Sequence, residues 1–375
     1  MIYLDNAATS YPKPRQVIRA VDKCLAHFSA NPGRSGHSPG AKADRALYGA
    51  RIAASEFLQA KETDVFFTLN CTDSLCCAIN GVLRRGDHVI TTTWEHNSVL
   101  RPLEHLKKQG FITYDCILPD KNGNITPELL DRARRSSTRM VICSHVSNVT
   151  GIQQNAALLY DYCRKHGLLF CLDAAQSAGY IPLNAEMADI ICIPGHKGLL
   201  GPMGCGLIYI TPRIELTPLR MGGTGSQSES LNQPAFRPDR YESGTLPLPA
   251  IAGMAAGIEL INKKGTEIAK REKALTVRLH RGLSSINGIK LLSAEDSSAG
   301  IVLFNYKHAD SRQISRLLDL RFGIATRAGY HCAPLAHRYL GTLEQGAVRI
   351  SIGYANTQSD IDAAIHAVSA IAKKL

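Results

Sequence analysis

The sequence predicts an α/β fold in which helices cover a mostly parallel sheet. The first observation behind this prediction is a series of short apolar runs, bounded by Gly, Pro or polar residues, that recur between residues 64 and 210. The second is that segments with the apolar spacing of helices separate these runs. The third is a composition of 45% hydrophobic and 20% charged residues, which is typical of a globular protein. Such alternation of strands and helices indicates a parallel sheet between layers of helices.

The elements of the first part of the chain follow from these patterns in order. Residues 1–14 are expected to be extended because they end in the proline-rich segment YPKP. A helix is predicted for 15–29, where Val17, Val21 and Leu25 share a face, and a second for 41–59. Seven strands are predicted at 64–68, 87–92, 112–117, 139–144, 168–172, 189–193 and 205–210, with helices between them at 73–83, 97–109, 126–135 and 156–166.

The last part of the chain has a different pattern. Residues 220–249 show little apolar periodicity, and loops of this length inside a compact protein are usually functional. One long helix, interrupted near Lys264–Gly265, is predicted for 250–285. Strands at 289–293, 301–306, 324–328 and 347–352 then mix with helices at 310–320 and 358–374, which predicts an α+β arrangement. We therefore expect a large domain over 15–250 and a small domain made of 1–14 and 251–375.

Charge and composition restrict the classes of partner. The formal net charge of +11 favours anionic ligands, such as a phosphate-bearing cofactor or a carboxylate substrate. The Lys and Arg residues are scattered and form no recognisable nucleic-acid module, so no nucleic-acid partner is expected. The chain start has the features of no signal peptide, and no apolar run approaches the ~20 residues of a membrane span. The sequence therefore predicts a cytoplasmic protein without a membrane partner.

The eleven cysteines are expected to be thiols, because disulfides are rare in the cytoplasm. Most lie inside apolar segments and are predicted to be small buried hydrophobic residues. Cys71, Cys76 and Cys77 form no CxxC pair, so no metal site is predicted.

The strongest candidate for a site lies between Asp173 and Lys197. Each follows an apolar run, and ligands of open α/β sheets bind beside the carboxyl ends of strands. A lysine in a Gly-rich turn, next to His196, is a candidate Schiff-base nucleophile. An aspartate one strand away is suited to pair with the protonated ring nitrogen of pyridoxal 5′-phosphate (PLP).

Eight motifs extend this observation over nearly the whole chain. They are YLDNAATS, TWEHNS, SHVSNVTG, DAAQSAG, GHKGLLGPMGCG, YESGT, RAGYHCAP and VRISIGYANT. In this order they resemble the cysteine desulfurase-like branch of the class V aminotransferases, which are fold type I PLP-dependent transferases. The resemblance implies a PLP cofactor, conversion of L-cysteine to L-alanine with an enzyme persulfide, transfer of the sulfur to an acceptor protein or thiol, and a homodimer with shared active sites.

The resemblance also implies a role for each cofactor-binding residue. Lys197 would carry PLP as a Schiff base, Asp173 would pair with its ring nitrogen, and Gln176 would bind its phenolic oxygen. His96 would stack on the ring and move protons, whereas Thr72 and His196 would bind the phosphate, together with Thr245 of the neighbouring subunit. Pro194 stands where the family usually has a serine, which removes one phosphate contact.

Further residues are implied for the substrate and its sulfur. Asn148 and Arg349 would hold the substrate carboxylate, which the guanidinium binds at two points. Cys332 would attack the sulfur of the bound cysteine and become the persulfide. Tyr330 replaces the first of two histidines that often precede this cysteine in the family. Arg34 and His37 are expected to line the entrance.

Three alternatives remain open at this level. A selenocysteine lyase would use the same scaffold, because a selenol is a better leaving group and is ionised at neutral pH. A class V aminotransferase, an epimerase or another lyase acting on another amino acid would not need Cys332. A scaffold or sulfur-carrier protein without catalysis would be expected to have a damaged set of cofactor residues, whereas this chain retains the set.

Overall fold

The computed structural model describes residues 1–33, 36–295, 297 and 299–374. Its strands are β1 (Ile2–Tyr3), β2 (Val65–Thr68), β3 (His88–Thr92), β4 (Thr113–Ile117), β5 (Thr138–Ser144), β6 (Leu169–Asp173), β7 (Ile190–Pro194), β8 (Gly206–Ile210), β9 (Ile289–Leu291), β10 (Ile301–Tyr306), β11 (Ile324–Ala325), β12 (Arg327–Gly329) and β13 (Ala347–Ser351). Its helices are α1 (Arg15–His27), α2 (Ser38–Leu58), α3 (Cys71–Val82), α4 (Asn97–Lys108), α5 (Pro127–Ala133), α6 (Ala156–Lys165), α7 (Leu248–Ser284), α8 (Ser311–Phe322), α9 (Pro334–Tyr339) and α10 (Gln358–Ala372).

The central sheet has seven strands in the order β2-β8-β7-β6-β5-β3-β4. Strands β7, β6, β5, β3 and β4 pair in parallel, whereas β8 runs antiparallel to both of its neighbours. The predicted α/β fold with a mostly parallel seven-stranded sheet is confirmed.

Both faces of this sheet are covered by helices. Successive residues of β5 point to opposite faces, so that Val141 and Cys143 belong to one apolar cluster and Met140 and Ile142 to another. Helices α2, α6 and α7 contribute to the first cluster, and α3 and α4 contribute to the second. Apart from the partly exposed edge strand β4, the strands are therefore mostly buried on both sides, which explains their short, largely apolar sequences.

The second sheet is antiparallel, with strands in the order β12-β13-β10-β9. Strand β1 pairs in parallel with β11, and Asp5 forms an isolated bridge with Ser351. The first residues of the chain therefore pack on its C-terminal part. This pairing supports our proposal that residues 1–14 belong with 251–375 in a small domain.

The predicted interruption of the long helix is wrong, because α7 runs without a break from Leu248 to Ser284. A glycine inside a helix costs roughly 1 kcal/mol relative to alanine, which is the basis of the prediction at Gly265. Apolar anchors on both sides offset this cost: Met254 and Ile258 pack in the core beside the central sheet, and Leu279 packs in the core of the C-terminal part.

Helix α2 begins three residues before its predicted start. The His37 ring nitrogen Nδ1 accepts a hydrogen bond from the backbone N–H of Gly40 at 3.1 Å, and Pro39 lies in the first turn. Both features stabilise a helix start inside a segment whose Gly and Pro content predicts a loop. Among the described residues, none of the helices combines the length and the apolar character that crossing a bilayer requires.

Candidate active site

A cavity of about 570 Å³ lies at the carboxyl ends of the parallel strands. The register of the sheet explains its position, since Ser144 at the end of β5 lies beside Asp173 at the end of β6. We call this space the site cavity. Its wall contains eight of the residues predicted to bind the cofactor or the substrate, namely Thr72, His96, Asn148, Asp173, Gln176, His196, Lys197 and Arg349.

Lys197 follows β7 in a tight turn. A Cβ atom on Gly198 would lie 2.0 Å from the carbonyl oxygen of Ala178, so only glycine fits at this close approach. The carbonyl oxygen of His196 accepts a hydrogen bond from the ammonium group of Lys13 at 2.9 Å, which ties the turn to the N-terminal segment. The turn therefore has little freedom, and Lys197 is held at the wall of the site cavity.

The environment of Lys197 favours its neutral amine. Burial lowers the pKa of this side chain, and the positive charges of Arg349 and Arg327 lower it further, against the opposing effects of Cys71 and Asp173. A lysine must lose its proton before it attacks a carbonyl, and desolvation next to other cations is a common means of activation.

Asp173 is a carboxyl group that is 4% exposed at the floor of the cavity. Its Oδ1 accepts a hydrogen bond from the backbone N–H of Ala175 at 2.9 Å and from the thiol of Cys71 at 3.5 Å. Burial raises its pKa, whereas the backbone hydrogen bond and the charge of Lys197 lower it. A buried carboxylate needs a cationic partner, and a protonated heterocyclic nitrogen in the cavity would supply one.

His96 is the N-cap of α4. Its Nδ1 accepts a hydrogen bond from the backbone N–H of Ser98 at 3.0 Å and lies 2.8 Å from the hydroxyl of Ser98. Burial lowers the pKa of His96 to about 4, and the charges of Lys197 and of three arginines contribute. The ring is therefore neutral at pH 7, and because Nδ1 accepts, Nε2 carries the proton.

One end of the cavity is suited to an anion. The hydroxyls of Thr72 and Ser98, in the first turns of α3 and α4, lie 2.7 Å apart, so two helix N-termini converge there. On the floor nearby, Gln176 donates its amide to the carbonyl oxygen of Ala7 at 2.9 Å. The buried Nδ1 of His196 has no hydrogen-bond partner within the described part of the chain.

Arg349 is a fully buried guanidinium on β13, with an exposed fraction of 1%. One Nη donates to the carbonyl oxygen of Asn148 at 2.9 Å, and the other donates to Oδ1 of Asp5 at 2.8 Å. Its Nε has no partner among the described residues. The amide of Asn148 donates to the carbonyl oxygen of His331 at 2.7 Å. The structure thus brings Arg349 against the backbone of Asn148 at the wall of the site cavity.

Cys332 lies in the loop between β12 and α9 and lines a second, neighbouring cavity of about 530 Å³. The guanidinium of Arg327 is 3.5 Å from its Sγ, and its carbonyl oxygen accepts a hydrogen bond from the backbone N–H of Asn97 at 2.7 Å. His331 and Cys332 have φ angles of 51° and 58°, in the left-handed region. The backbone at residues 331 and 332 is therefore held in an unfavourable conformation that residues other than glycine seldom adopt.

Two buried histidines support this loop from below. Nδ1 of His331 lies 3.1 Å from Nε2 of His337, and Nδ1 of His337 lies 2.8 Å from the hydroxyl of Thr342. Burial lowers the pKa of both rings, to about 4 for His337, so both are neutral at pH 7. A neutral imidazole has one N–H donor and one acceptor nitrogen, so each of these contacts can form a hydrogen bond.

The remaining predicted residues lie elsewhere. Thr245 is exposed and does not line the site cavity of its own chain; it follows Gly244, whose φ of 89° turns the backbone. Arg34 lies outside the described residues. His37 caps α2 and is not among the residues that line the cavity.

A family model described as aminotransferase class-V matches residues 2–364. The chain belongs to the class V aminotransferases. It is 33% identical to a probable cysteine desulfurase from Methanothermobacter thermautotrophicus, over 96% of this chain and 92% of that protein. It is 32% identical to the cysteine desulfurase IscS from Shewanella baltica, over 100% of this chain and 93% of that protein.

Solved structures give the same result for this class V aminotransferase. An apo structure of a cysteine desulfurase from Thermococcus onnurineus NA1 matches with a TM-score of 0.93 and 30% identity, over 100% of this chain and 95% of that one. The cysteine desulfurase CsdA (S-sulfonic acid) from Escherichia coli matches with a TM-score of 0.90 and 25% identity, over the same shares. The resemblance to the cysteine desulfurase-like branch is confirmed.

Sequence reasoning missed two carboxyl groups that this class V aminotransferase places behind the site, the buried Glu95 and the partly accessible Asp5. Glu95 has no exposed surface, and its oxygens accept hydrogen bonds from Thr92 Oγ1 at 2.6 Å, from the Ser144 N–H at 2.9 Å and from the Ser144 hydroxyl at 2.8 Å. Burial raises its pKa to about 7. Glu95 joins the ends of β3 and β5, and Asp5 is the partner of Arg349. Asp5 lies in the motif YLDNAATS and Glu95 in TWEHNS, so these motifs are the sequence signal that could have identified both residues.

Proposed function

We propose that the protein is a PLP-dependent cysteine desulfurase, which converts L-cysteine to L-alanine and carries the sulfur as a persulfide on Cys332. The observation that carries this proposal is the shared cavity of Lys197, Asp173 and Arg349, with the Cys332 thiol in the wall of the adjoining cavity. Relatives that match nearly the whole chain and are named cysteine desulfurases support it.

The residues of the site cavity fit PLP. The buried carboxyl of Asp173 suits a pyridinium nitrogen, the unpartnered Nδ1 of His196 suits an anionic oxygen, and Thr72 stands in the first turn of α3. Lys197 supplies the amine that attaches the cofactor. When bound, PLP supplies an electron-withdrawing ring that stabilises negative charge at the substrate Cα.

The protein residues position the substrate and move its protons. Arg349, with its free Nε, and Asn148 bind the α-carboxylate. Lys197, whose pKa is lowered by burial, takes the α-proton. His96, whose Nε2 carries a proton at neutral pH, lines the same cavity and would donate this proton where the product requires one. Gln176 would donate a hydrogen bond to the phenolic oxygen of the cofactor.

The sulfur step belongs to Cys332. Its thiolate attacks the sulfur of the bound cysteine, so that a sulfur–sulfur bond forms as the carbon–sulfur bond breaks. The electron pair of the broken bond stays with the carbon skeleton, which is protonated and leaves as alanine. The guanidinium of Arg327 lies 3.5 Å from Sγ, the atom that attacks. A protein or small thiol then takes the outer sulfur.

The active unit in this proposal is a homodimer. Thr245 is exposed on its own chain, and so are the large apolar side chains of Met203, Met221 and Leu231, the first of which stands at the mouth of the site cavity. Exposed apolar side chains near a site are typical of surfaces that a partner covers. Thr245 would thus reach the cofactor phosphate of the neighbouring subunit. The eleven free cysteines agree with a cytoplasmic location, which is part of the proposal.

The test is an assay of the purified, PLP-loaded protein with L-cysteine and L-selenocysteine in parallel, following alanine in the wild type and in Cys332→Ala. Alanine from L-cysteine that disappears in the variant is the expected result. Alanine from selenocysteine alone would assign a selenocysteine lyase, and alanine from neither would assign an aminotransferase or lyase for another amino acid.

A further inference from the structure

The cavity that holds Cys332 continues as a groove between two helices. Its walls are the first three turns of α3 and α4, and we call it the α3–α4 groove. Cys332 and His96 lie at the end next to the site cavity, whereas Arg101 and His105 lie further along α4. The other wall contributes a second thiol, that of Cys76.

The spacing on α3 explains why Cys76 faces this groove. Thr72, Cys76 and Asn80 recur every four residues, so they share one face of the helix, and all three line the groove. The adjacent Cys77 has a different environment, since it packs against the apolar cluster beneath the sheet. Both thiols are free and partly exposed, which makes Cys77 a natural control for Cys76.

The groove is also suited to anionic sulfur. Arg101 stands along α4, and the N-termini of α3 and α4 converge at the Cys332 end, where Thr72 and Ser98 are hydrogen-bonded. Cationic side chains and helix N-termini stabilise thiolates and persulfide anions. The carbonyl of Cys332 is held by the first N–H of α4, so the loop is attached to one wall of the groove.

We propose that Cys76 is a second sulfur-carrying residue, which receives the outer sulfur of the Cys332 persulfide inside the α3–α4 groove. This inference rests on the proposed function for the origin of the persulfide. The Cys76 sulfur attacks the outer sulfur of Cys332, the bond between the two sulfurs of Cys332 breaks, and Cys332 leaves as a thiolate. One persulfide is consumed and one is formed, so the exchange needs neither oxidant nor reductant.

The exchange also moves one proton. Burial raises the pKa of Cys76, and the nearby charge of Asp73 adds to this effect, so the thiol starts protonated at neutral pH. The imidazole of His105 is a base in the same groove that can take this proton. The released Cys332 thiolate lies beside Arg327 and is ready for another substrate molecule. The chain would therefore store one sulfur while it extracts the next.

The test separates this relay from the desulfurase activity by charging Cys332 chemically. The full-length protein is treated with inorganic polysulfide until the peptide of Cys332 carries a persulfide, then alkylated and mapped by mass spectrometry. We expect a persulfide on Cys76 in the wild type and in Cys77→Ala, and none on Cys76 in Cys332→Ala. A persulfide-free Cys76 in the wild type, or equal loading of Cys76 without Cys332, would overturn the relay.

A second measurement uses the reaction itself. With L-cysteine and no acceptor thiol, the wild type and Cys77→Ala should hold about two sulfurs per chain, and Cys76→Ala about one, a twofold difference. Equal sulfur content in Cys76→Ala and Cys77→Ala would contradict the relay. Failure of the wild type to form alanine would instead overturn the proposed function, and the polysulfide experiment would still decide the relay.

Discussion

Arg349 and Asp5 form an ion pair between residues 344 positions apart, with Nη2 of Arg349 at 2.8 Å from Oδ1 of Asp5. The guanidinium is buried, whereas the carboxylate is partly accessible. If the partner is removed, a buried arginine keeps its positive charge but loses the negative charge that offsets the cost of burying it. The pair therefore fixes both the charge balance and the direction of the side chain proposed to bind the substrate carboxylate.

Removal of this partner should affect substrate binding first. We expect Asp5→Asn to raise the KM for L-cysteine about tenfold, which corresponds to ~1.4 kcal/mol, with a smaller change in kcat. Steady-state kinetics measures the split. Asp362→Asn is the control, because it breaks an exposed pair with Arg278 at 2.5 Å that should contribute little. Equal kinetic constants for Asp5→Asn and the wild type would show that Asp5 does not position Arg349.

The close approach at Gly198 gives a prediction for stability and cofactor binding. Gly198→Ala would place a Cβ 2.0 Å from the carbonyl oxygen of Ala178, so the turn that carries Lys197 must shift. We expect a loss of about 2–4 kcal/mol in the free energy of unfolding and weaker retention of PLP. Gly49→Ala, in an exposed part of α2 with open space around its Cβ, should instead stabilise by about 0.5–1 kcal/mol. Urea unfolding and absorption of the bound cofactor check both, and similar values for the two variants would refute this account.

Buried neutral histidines should make the fold sensitive to acid. Burial lowers the pKa of His145 to about 4, so the unfolded chain binds its proton at a higher pH than the folded chain does. Its contribution is therefore present above pH 6.5 and is lost as the pH falls towards 4. Glu95 and Glu272 have pKa values raised to about 7 and about 8, so their effect on the free energy of unfolding has the opposite sign. This effect is the same in the wild type and in a histidine variant.

A comparison of the wild type with His145→Gln isolates the contribution of this histidine to the pH dependence of stability. Near pH 5.5, the slope of the unfolding free energy against pH should be smaller in His145→Gln than in the wild type, by up to ~1.36 kcal/mol per pH unit. Denaturant titrations at several pH values measure this slope. An unchanged slope would mean that His145 titrates alike in the folded and unfolded chains.

The proposed homodimer with shared active sites predicts complementation between two inactive variants. In a mixed dimer of Lys197→Ala and Thr245→Ala chains, one site contains both defects and the other contains neither. We expect each variant alone to form little alanine, and a mixture refolded together to recover up to about a quarter of the wild-type rate, because half of the dimers are mixed and each has one intact site. No recovery, with dimers confirmed by light scattering, would place Thr245 outside the neighbouring site.

Much of the fold could be predicted because its signals are local. The strands from β2 to β8 lie within one or two residues of their predicted bounds, since each is a short apolar run ended by polar or turn residues. The error at Gly265 came from the same kind of reasoning: a local propensity of about 1 kcal/mol was outweighed by apolar anchors that only the tertiary structure reveals.

The site residues that lie inside sequence motifs could be predicted. The contacts between segments far apart in the chain could not. The motifs named Lys197 and Asp173, and the sheet register explains why they meet at one edge. The partner of Arg349 and the shared groove of Cys76 and Cys332 depend on segments far apart in the chain, for which a single sequence holds no signal of proximity.

The central claim is that Cys332 takes the sulfur of L-cysteine. The most direct measurement is a single turnover of the PLP-loaded enzyme with radiolabelled sulfur in L-cysteine, followed by alkylation and mapping of the label. The account predicts that the label first appears on the peptide of Cys332, with one alanine formed for each sulfur bound, and that Cys332→Ala binds PLP but acquires no label. Protein-bound label and alanine at wild-type levels in Cys332→Ala would contradict it.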